Sequence, residues 1–129
     1  MSEFIHTGIT VEDVDRTVAW YQKYFGFTEV KRFEKDALEI KAAAVIALGD
    51  AQIEVIQPNV PELVVAKMDN LIETLRPMGT NHFAIGVNDI EKSYKELSES
   101  GAHMITEVMG GKMFFCCDPD GTVIEVKQS

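Results

Sequence analysis

The chain is short of several things, and each shortage closes off a class of explanation. Nowhere in its 129 residues does an apolar run reach the roughly 20 positions that cross a bilayer as a helix. The opening Met1-Ser2-Glu3-Phe4 has neither the basic start nor the apolar stretch of an export signal, so a cytoplasmic protein with no membrane partner is expected. Cysteine is scarce. The two, Cys116 and Cys117, are adjacent and read as reduced thiols in a strand rather than as a disulfide framework. Positive charge is scarce too: 12 Lys and Arg face 21 Asp and Glu, a net charge of −9. That argues against nucleic acid, because a phosphate backbone is met by clustered cations. What remains, 46% hydrophobic and 26% charged residues, suits one globular unit that builds a core without disulfides or a structural zinc.

What the chain does have is a repeat. His6-Thr7-Gly8-Ile9-Thr10-Val11-Glu12-Asp13-Val14 returns as His82-Phe83-Ala84-Ile85-Gly86-Val87-Asn88-Asp89-Ile90, with 82 − 6 and 89 − 13 both equal to 76. Repetition is read first because it fixes architecture. In each copy an Ile-, Thr- or Val-rich strand leads to an Asp suited to capping a helix. Val14, Val18, Tyr21 and Phe25 then recur at helical spacing, as do Ile90, Tyr94 and Leu97, and Gly26 and Gly101 terminate the two helices.

The pattern predicts strands at 4–11, 27–33, 38–48 and 51–57, then at 81–87, 103–108, 112–117 and 122–128. Gly49-Asp50 and Asp118-Pro119-Asp120-Gly121 read as the hairpin turns. Each module is therefore βαβββ, spanning 3–57 and 81–128 of a single domain 1–129. The expected class is α+β, with the two modules forming a curved mixed sheet. Between them, 58–80 is punctuated by Pro58, Pro61, Pro77 and Gly79. With Leu63, Val64, Val65, Met68, Leu71 and Ile72 it is too apolar for a free linker. A helix or turn between Glu62 and Leu75, lying over a neighbouring surface, is expected.

Each module also carries one His at the start of its first strand and one Glu in its last, in Ile53-Glu54-Val55 and Ile124-Glu125-Val126. Strand side chains alternate between faces, so the branched neighbours point into the helix-covered core and the Glu points the other way. A lone His or Glu in such a place is commonly structural. No packing requirement, however, puts both at matched points of two diverged modules. His6, Glu54, His82 and Glu125 form a mixed N/O set suited to one borderline divalent ion: nickel, cobalt, zinc, iron or manganese. Water would complete such a shell and leave exchangeable positions for substrate. His103 has no counterpart in the first module and is read as structural.

These residues resemble the vicinal oxygen chelate superfamily, with its glyoxalase/bleomycin resistance/dihydroxybiphenyl dioxygenase fold. The marks are His6 with Val11-x-Asp13, the helix end Trp20-Tyr21…Phe25-Gly26-Phe27, the same plan from His82 to Gly101, and the closing Asp118-Pro119-Asp120-Gly121-x-x-x-Glu125. The likeness covers nearly the whole chain. The four-ligand set is similar to that of glyoxalase I. The methylmalonyl-CoA epimerase pattern has Gln in place of Glu54, oxygenases and fosfomycin-resistance enzymes of the fold use three ligands, and bleomycin-binding proteins lack the set.

The resemblance implies a metal-dependent lyase or isomerase that abstracts a proton next to a carbonyl through a metal-bound enediolate. Alternatives are an epimerase, a VOC-fold oxygenase, or a ligand-binding resistance protein. It also implies a small hydroxy-carbonyl or thioester substrate and a homodimer. Glu125 is the expected base, and Glu54 is expected to return the proton to the neighbouring carbon or to the opposite face. Bacterial glyoxalase I carries an Arg four residues after its first His, where it holds the glutathione carboxylate. Thr10 stands there in this chain, so the carrier thiol is left open.

If Asp118–Gly121 makes a plain hairpin, Phe114 faces Glu125 and Cys116 faces Val123 on the site side. Phe114 would then supply a dry wall and Cys116 a small apolar lining group. Lys112 and Arg76 are cations that either meet an anionic substrate group or remain solvated surface charges.

Overall fold

The computed structural model describes residues 1–63 and 69–129, and the chain divides into two compact units after Leu63. The architecture is α+β and each unit is built on a mixed sheet. The first unit holds β1 (Thr7–Thr10), α1 (Val14–Phe25), β2 (Thr28–Lys35), a 3-10 turn (Asp36–Leu38), β3 (Ile40–Leu48) and β4 (Ala51–Pro58). Its strand order is β1-β4-β3-β2, with β1 parallel to β4 and the other pairs antiparallel. The second holds α2 (Leu71–Leu75), β5 (Phe83–Val87), α3 (Ile90–Glu99), β6 (Met113–Cys117) and β7 (Val123–Gln128), in the strand order β5-β7-β6. Again β5 runs parallel to its partner β7, and β6 antiparallel.

The helices begin and end where the repeat places them. Asp13 accepts from the Arg16 N–H at 3.2 Å, Asp89 accepts from the Lys92 N–H at 3.1 Å, and Gly26 and Gly101 take the left-handed φ of 78° and 86° that follows a helix end. Val14, Val18 and Tyr21 on α1, and Ile90 and Leu97 on α3, are buried. Ile53 and Val55 flank Glu54, and Ile124 and Val126 flank Glu125; all four are buried, so each Glu stands on the face of its sheet opposite theirs. Burying each of these aliphatic side chains contributes about 1.5–3 kcal/mol.

A second repeated device ties strand to helix. The Val14 N–H, first in α1, donates to Gln57 Oε1 at 3.0 Å, and the Ile90 N–H, first in α3, donates to Gln128 Oε1 at 3.0 Å. Helix-start N–H groups have no partner within the helix, and here the end of the Glu-bearing strand supplies one.

Several expectations need correction. Residues 103–108 form only one isolated bridge, Met104 to Cys116. The N–H groups of Ile105 and Thr106 both donate to the Phe115 carbonyl, at 2.9 and 3.2 Å. The Phe115 N–H goes to Thr106 Oγ1 at 3.0 Å, so a side chain takes the place of a ladder carbonyl and the strand does not propagate. Residues 38–39 belong to the 3-10 turn and its left-handed end at Glu39 (φ 57°), which delays β3 to Ile40. His6 and His82 precede their strands rather than lie in them.

The last hairpin also differs in register. Asp118 closes a longer turn, its N–H donating to the Thr122 carbonyl at 2.9 Å and its carboxylate accepting from the Asp120 and Thr122 N–H groups. The closing pair becomes Cys117 and Val123, so Phe115 stands opposite Glu125, Phe114 opposite Val126 and Cys116 opposite Ile124. Phe114 and Cys116 therefore face the helix-covered core, with the Phe114 ring edge-on to Tyr94 at 5.2 Å.

In the connection, Asn70 caps α2 by accepting from the Glu73 N–H at 2.9 Å, and Leu71 packs on Ile105, Phe115 and Cys117. Val64, Val65 and Met68 of the expected apolar segment lie outside the described residues. No helix among the described residues is long and apolar enough to cross a membrane.

Leu97 is 1% exposed and Val30 is 55% exposed. Leu97→Ala is expected to cost about 2–5 kcal/mol, read as a lower urea midpoint, whereas Val30→Ala stays within about 0.5 kcal/mol of wild type. Equal losses would contradict the packing described.

Candidate metal centre

Within each unit the parallel strand pair brings its His to its Glu. On β1 and β4, Gly8 stands opposite Glu54; on β5 and β7, Ala84 stands opposite Glu125. His6 lies two residues before Gly8 and His82 two before Ala84, so the same offset operates twice. His6 Nε2 is 3.8 Å from Glu54 Oε2, and His82 Nε2 is 3.6 Å from Glu125 Oε1. These separations exceed a hydrogen bond. An ion with metal–N and metal–O bonds of about 2.0–2.2 Å touches both atoms of a pair up to about 4.2 Å apart. Each pair thus fits as two ligands of one divalent ion, and the donor set, imidazole nitrogen with carboxylate oxygen, suits a borderline metal.

The two pairs are not equally prepared. The side chains of His6 and Glu54 are 37% and 24% exposed, those of His82 and Glu125 26% and 16%. The His82 ring is met edge-on by Phe115 at 5.2 Å, and its Nδ1 lies 2.7 Å from Asn81 Oδ1. Ile5, an exposed aliphatic residue, precedes His6. Among the described residues no group of three or more His, Cys, Asp or Glu side chains forms a metal cluster, and each unit brings together one His and one Glu.

Phe115 takes the position beside Glu125 that the plain hairpin assigned to Phe114. Lys112 and Arg76 are exposed. His103 Nε2 lies 3.7 Å from Asp69 Oδ1. Gln57, Gln128 and Asn81 were not singled out by the sequence reading. The glutamines had a signal, since Glu54-Val55-Ile56-Gln57 matches Glu125-Val126-Lys127-Gln128 with one common offset (125 − 54 and 128 − 57 both give 71). Asn81 had none, because residue 5 is Ile.

Cys116 is a buried free thiol, its pKa pushed up from 9.0 to about 12 chiefly by burial and then by Cys117 and Asp118. A thiol held protonated in this way is no nucleophile near neutral pH. The unfolded thiol ionises near 9 while the folded one resists, so its share of stability is intact below that pH and is lost as pH rises towards 12. Cys116→Ala is therefore expected to show a smaller fall in urea midpoint between about pH 7 and pH 10.5 than wild type. Identical falls would refute the burial of the thiol.

Comparison with known proteins adds the following. The family model described as "Glyoxalase/Bleomycin resistance protein/Dioxygenase superfamily" matches residues 3–126. The Probable lactoylglutathione lyase of Vibrio parahaemolyticus is 30% identical over 132 residues, covering 97% of this chain and 89% of that protein. A lactoylglutathione lyase of Arabidopsis thaliana is 29% identical over 133 residues, covering 97% of this chain but 44% of that protein, so the chain spans under half of the plant relative. Among solved structures, the trypanothione-dependent glyoxalase I of Leishmania major superposes with a TM-score of 0.76 at 20% identity, covering 99% of this chain and 87% of that one. A fosfomycin resistance protein of Listeria monocytogenes, solved with Mn(II) and sulfate, superposes with a TM-score of 0.69 at 15% identity, covering 100% and 93%. At these identities the two structures speak for the fold alone.

Proposed function

Because the chain belongs to the Glyoxalase/Bleomycin resistance protein/Dioxygenase superfamily, we propose that it is a divalent-metal-dependent lyase or isomerase of the glyoxalase I kind. Its two His–Glu half-sites would contribute to one metal centre in a single domain that works as a homodimer. The substrate would be a small hydroxy-carbonyl compound or thioester. The observation that carries this reading is the repeated approach of imidazole to carboxylate at one strand register, 3.8 Å in the first unit and 3.6 Å in the second. Relatives named lactoylglutathione lyase support the reaction class.

His6, Glu54, His82 and Glu125 would hold the ion. When bound, it supplies an electrophile that acidifies a C–H next to a carbonyl and offsets the charge developing on oxygen. The protein's own groups do the proton work. Glu125 takes the proton at a carboxylate oxygen, and Glu54 delivers one to the neighbouring carbon, giving isomerisation, or to the opposite face, giving epimerisation. Both carboxylates keep partial exposure, 16% and 24%, so each re-equilibrates with water between turnovers. Phe115, opposite Glu125 in the hairpin and edge-on to His82, excludes water from one side of the base and strengthens electrostatics there. Thr10 offers no cation to a carrier carboxylate, which favours a carrier other than glutathione.

The test is metal analysis of the purified protein together with solvent deuterium exchange at the substrate α-carbon, over hydroxy-carbonyl thioadducts and acyl thioesters. Exchange is expected to stop on chelation and to return with nickel, cobalt or zinc. Glu125→Gln should lower the exchange rate about 10²–10⁴-fold while metal is retained. A His6→Ala, His82→Ala double variant that keeps its full metal content would sink the ligand assignment. Exchange that survives complete chelation would sink the reaction.

A further inference from the structure

The hydrogen bonds around His82 determine more than its position. The Thr74 carbonyl can only accept, and Asn81 Nδ2 lies 2.7 Å from it, so the Asn81 amide donates there and turns its oxygen the other way. That oxygen, Oδ1, is 2.7 Å from His82 Nδ1. An amide oxygen also can only accept, so Nδ1 must carry the hydrogen. In neutral imidazole this leaves the lone pair on Nε2, the atom 3.6 Å from Glu125 Oε1.

The anchor of this chain is firm. Thr74 is buried, its Oγ1 donates to the Asn70 carbonyl at 2.8 Å, and its N–H donates to the same oxygen at 3.1 Å. Leu71, one turn earlier on α2, packs on the cluster that contains Phe115, and the Phe115 ring meets His82 edge-on at 5.2 Å. The imidazole is therefore gripped by an amide on one edge and a ring on its side, and both supports trace back to α2. In the first unit the residue before His6 is Ile5, which offers no acceptor.

We propose that Asn81 is a positioning residue: it reads the fixed direction of the Thr74 carbonyl and holds His82 as the Nδ1–H tautomer, with Nε2 presented as a ligand. This rests on the reading of His82 as a metal ligand only for its consequence. The tautomer itself follows from the hydrogen bonds. A ligand His whose second nitrogen donates to a fixed acceptor binds metal more tightly, because ring orientation and tautomer are set beforehand.

The experiment is long-range proton–nitrogen correlation NMR of the two imidazoles in metal-free protein at about pH 8.5, where ordinary histidines are neutral. In wild type, His82 should show Nδ1–H. In Asn81→Leu it should move to a mixture of tautomers, while the His6 signals stay put. In Asn81→Asp, which keeps an acceptor for Nδ1 but loses the donor to the Thr74 carbonyl, Nδ1–H should remain the major tautomer. Zinc or cobalt affinity, read by competition with a chromophoric chelator, should fall about 10–100-fold in Asn81→Leu and recover towards wild type in Asn81→Asp. Nε2–H as the wild-type tautomer would overturn the inference, and that arm needs no variant to fold. So would an unchanged tautomer in folded Asn81→Leu. The expected tautomers in a protein that binds no metal would uphold the role of Asn81 and overturn the metal reading alone.

Discussion

Both His–Glu approaches depend on the parallel pairing of the first and last strands in each unit. A parallel ladder joins segments far apart in sequence and lets a side chain at the mouth of one strand reach a side chain in the middle of the other. Gly8 opposite Glu54, and Ala84 opposite Glu125, are the register pairs that do this. Neither Gly nor Ala fills the space beside its Glu. The His two residues upstream can then fold over a small neighbour toward the carboxylate. Gln57 and Gln128 reinforce the arrangement from the other end, since each pins the end of its Glu-bearing strand to the first N–H of the helix that follows the parallel partner strand.

Much of this was legible in the sequence because it is written locally and twice. Asp13 and Asp89 cap, Gly26 and Gly101 terminate, and the buried flanks of Glu54 and Glu125 follow from strand alternation. The register of the last hairpin was not legible, because it turns on how many residues Asp118 gathers beneath its carboxylate. A turn one residue longer at its closing moved Phe115 to the site face and sent Phe114 and Cys116 into the core. The failure of 103–108 to form a full strand was equally hidden, since it comes from Thr106 taking an N–H that a carbonyl would have taken in a regular ladder. Both are cases in which a side chain competes with the backbone, and periodicity does not register that competition.

The two halves share a plan but not a finish. In the second unit the His is ringed by Asn81 and Phe115, and its Glu is the less exposed of the two. In the first, Ile5 precedes a more exposed His6. A carboxylate that is to take a proton from carbon gains from a drier setting, because removal of water raises the cost of leaving its charge unused. One that exchanges protons with solvent gains from access. The difference in exposure therefore matches the division of labour proposed for Glu125 and Glu54, and it runs in the same direction as the difference in support around the two histidines.

That asymmetry also explains why duplication alone does not yield two equal His–Glu pairs. A repeat copies the strand register, and with it the approach of His to Glu, because register is set by backbone pairing and by the residues that flank each Glu. It does not copy the surroundings of the His, because those come from outside the repeated core. Asn81 owes its direction to Thr74, and Thr74 lies on α2, an element of the connection between the two modules. The connecting segment thus shapes the surroundings of His82. It decides which nitrogen of His82 carries a hydrogen, and so it turns one of two equivalent pairs into the better prepared one.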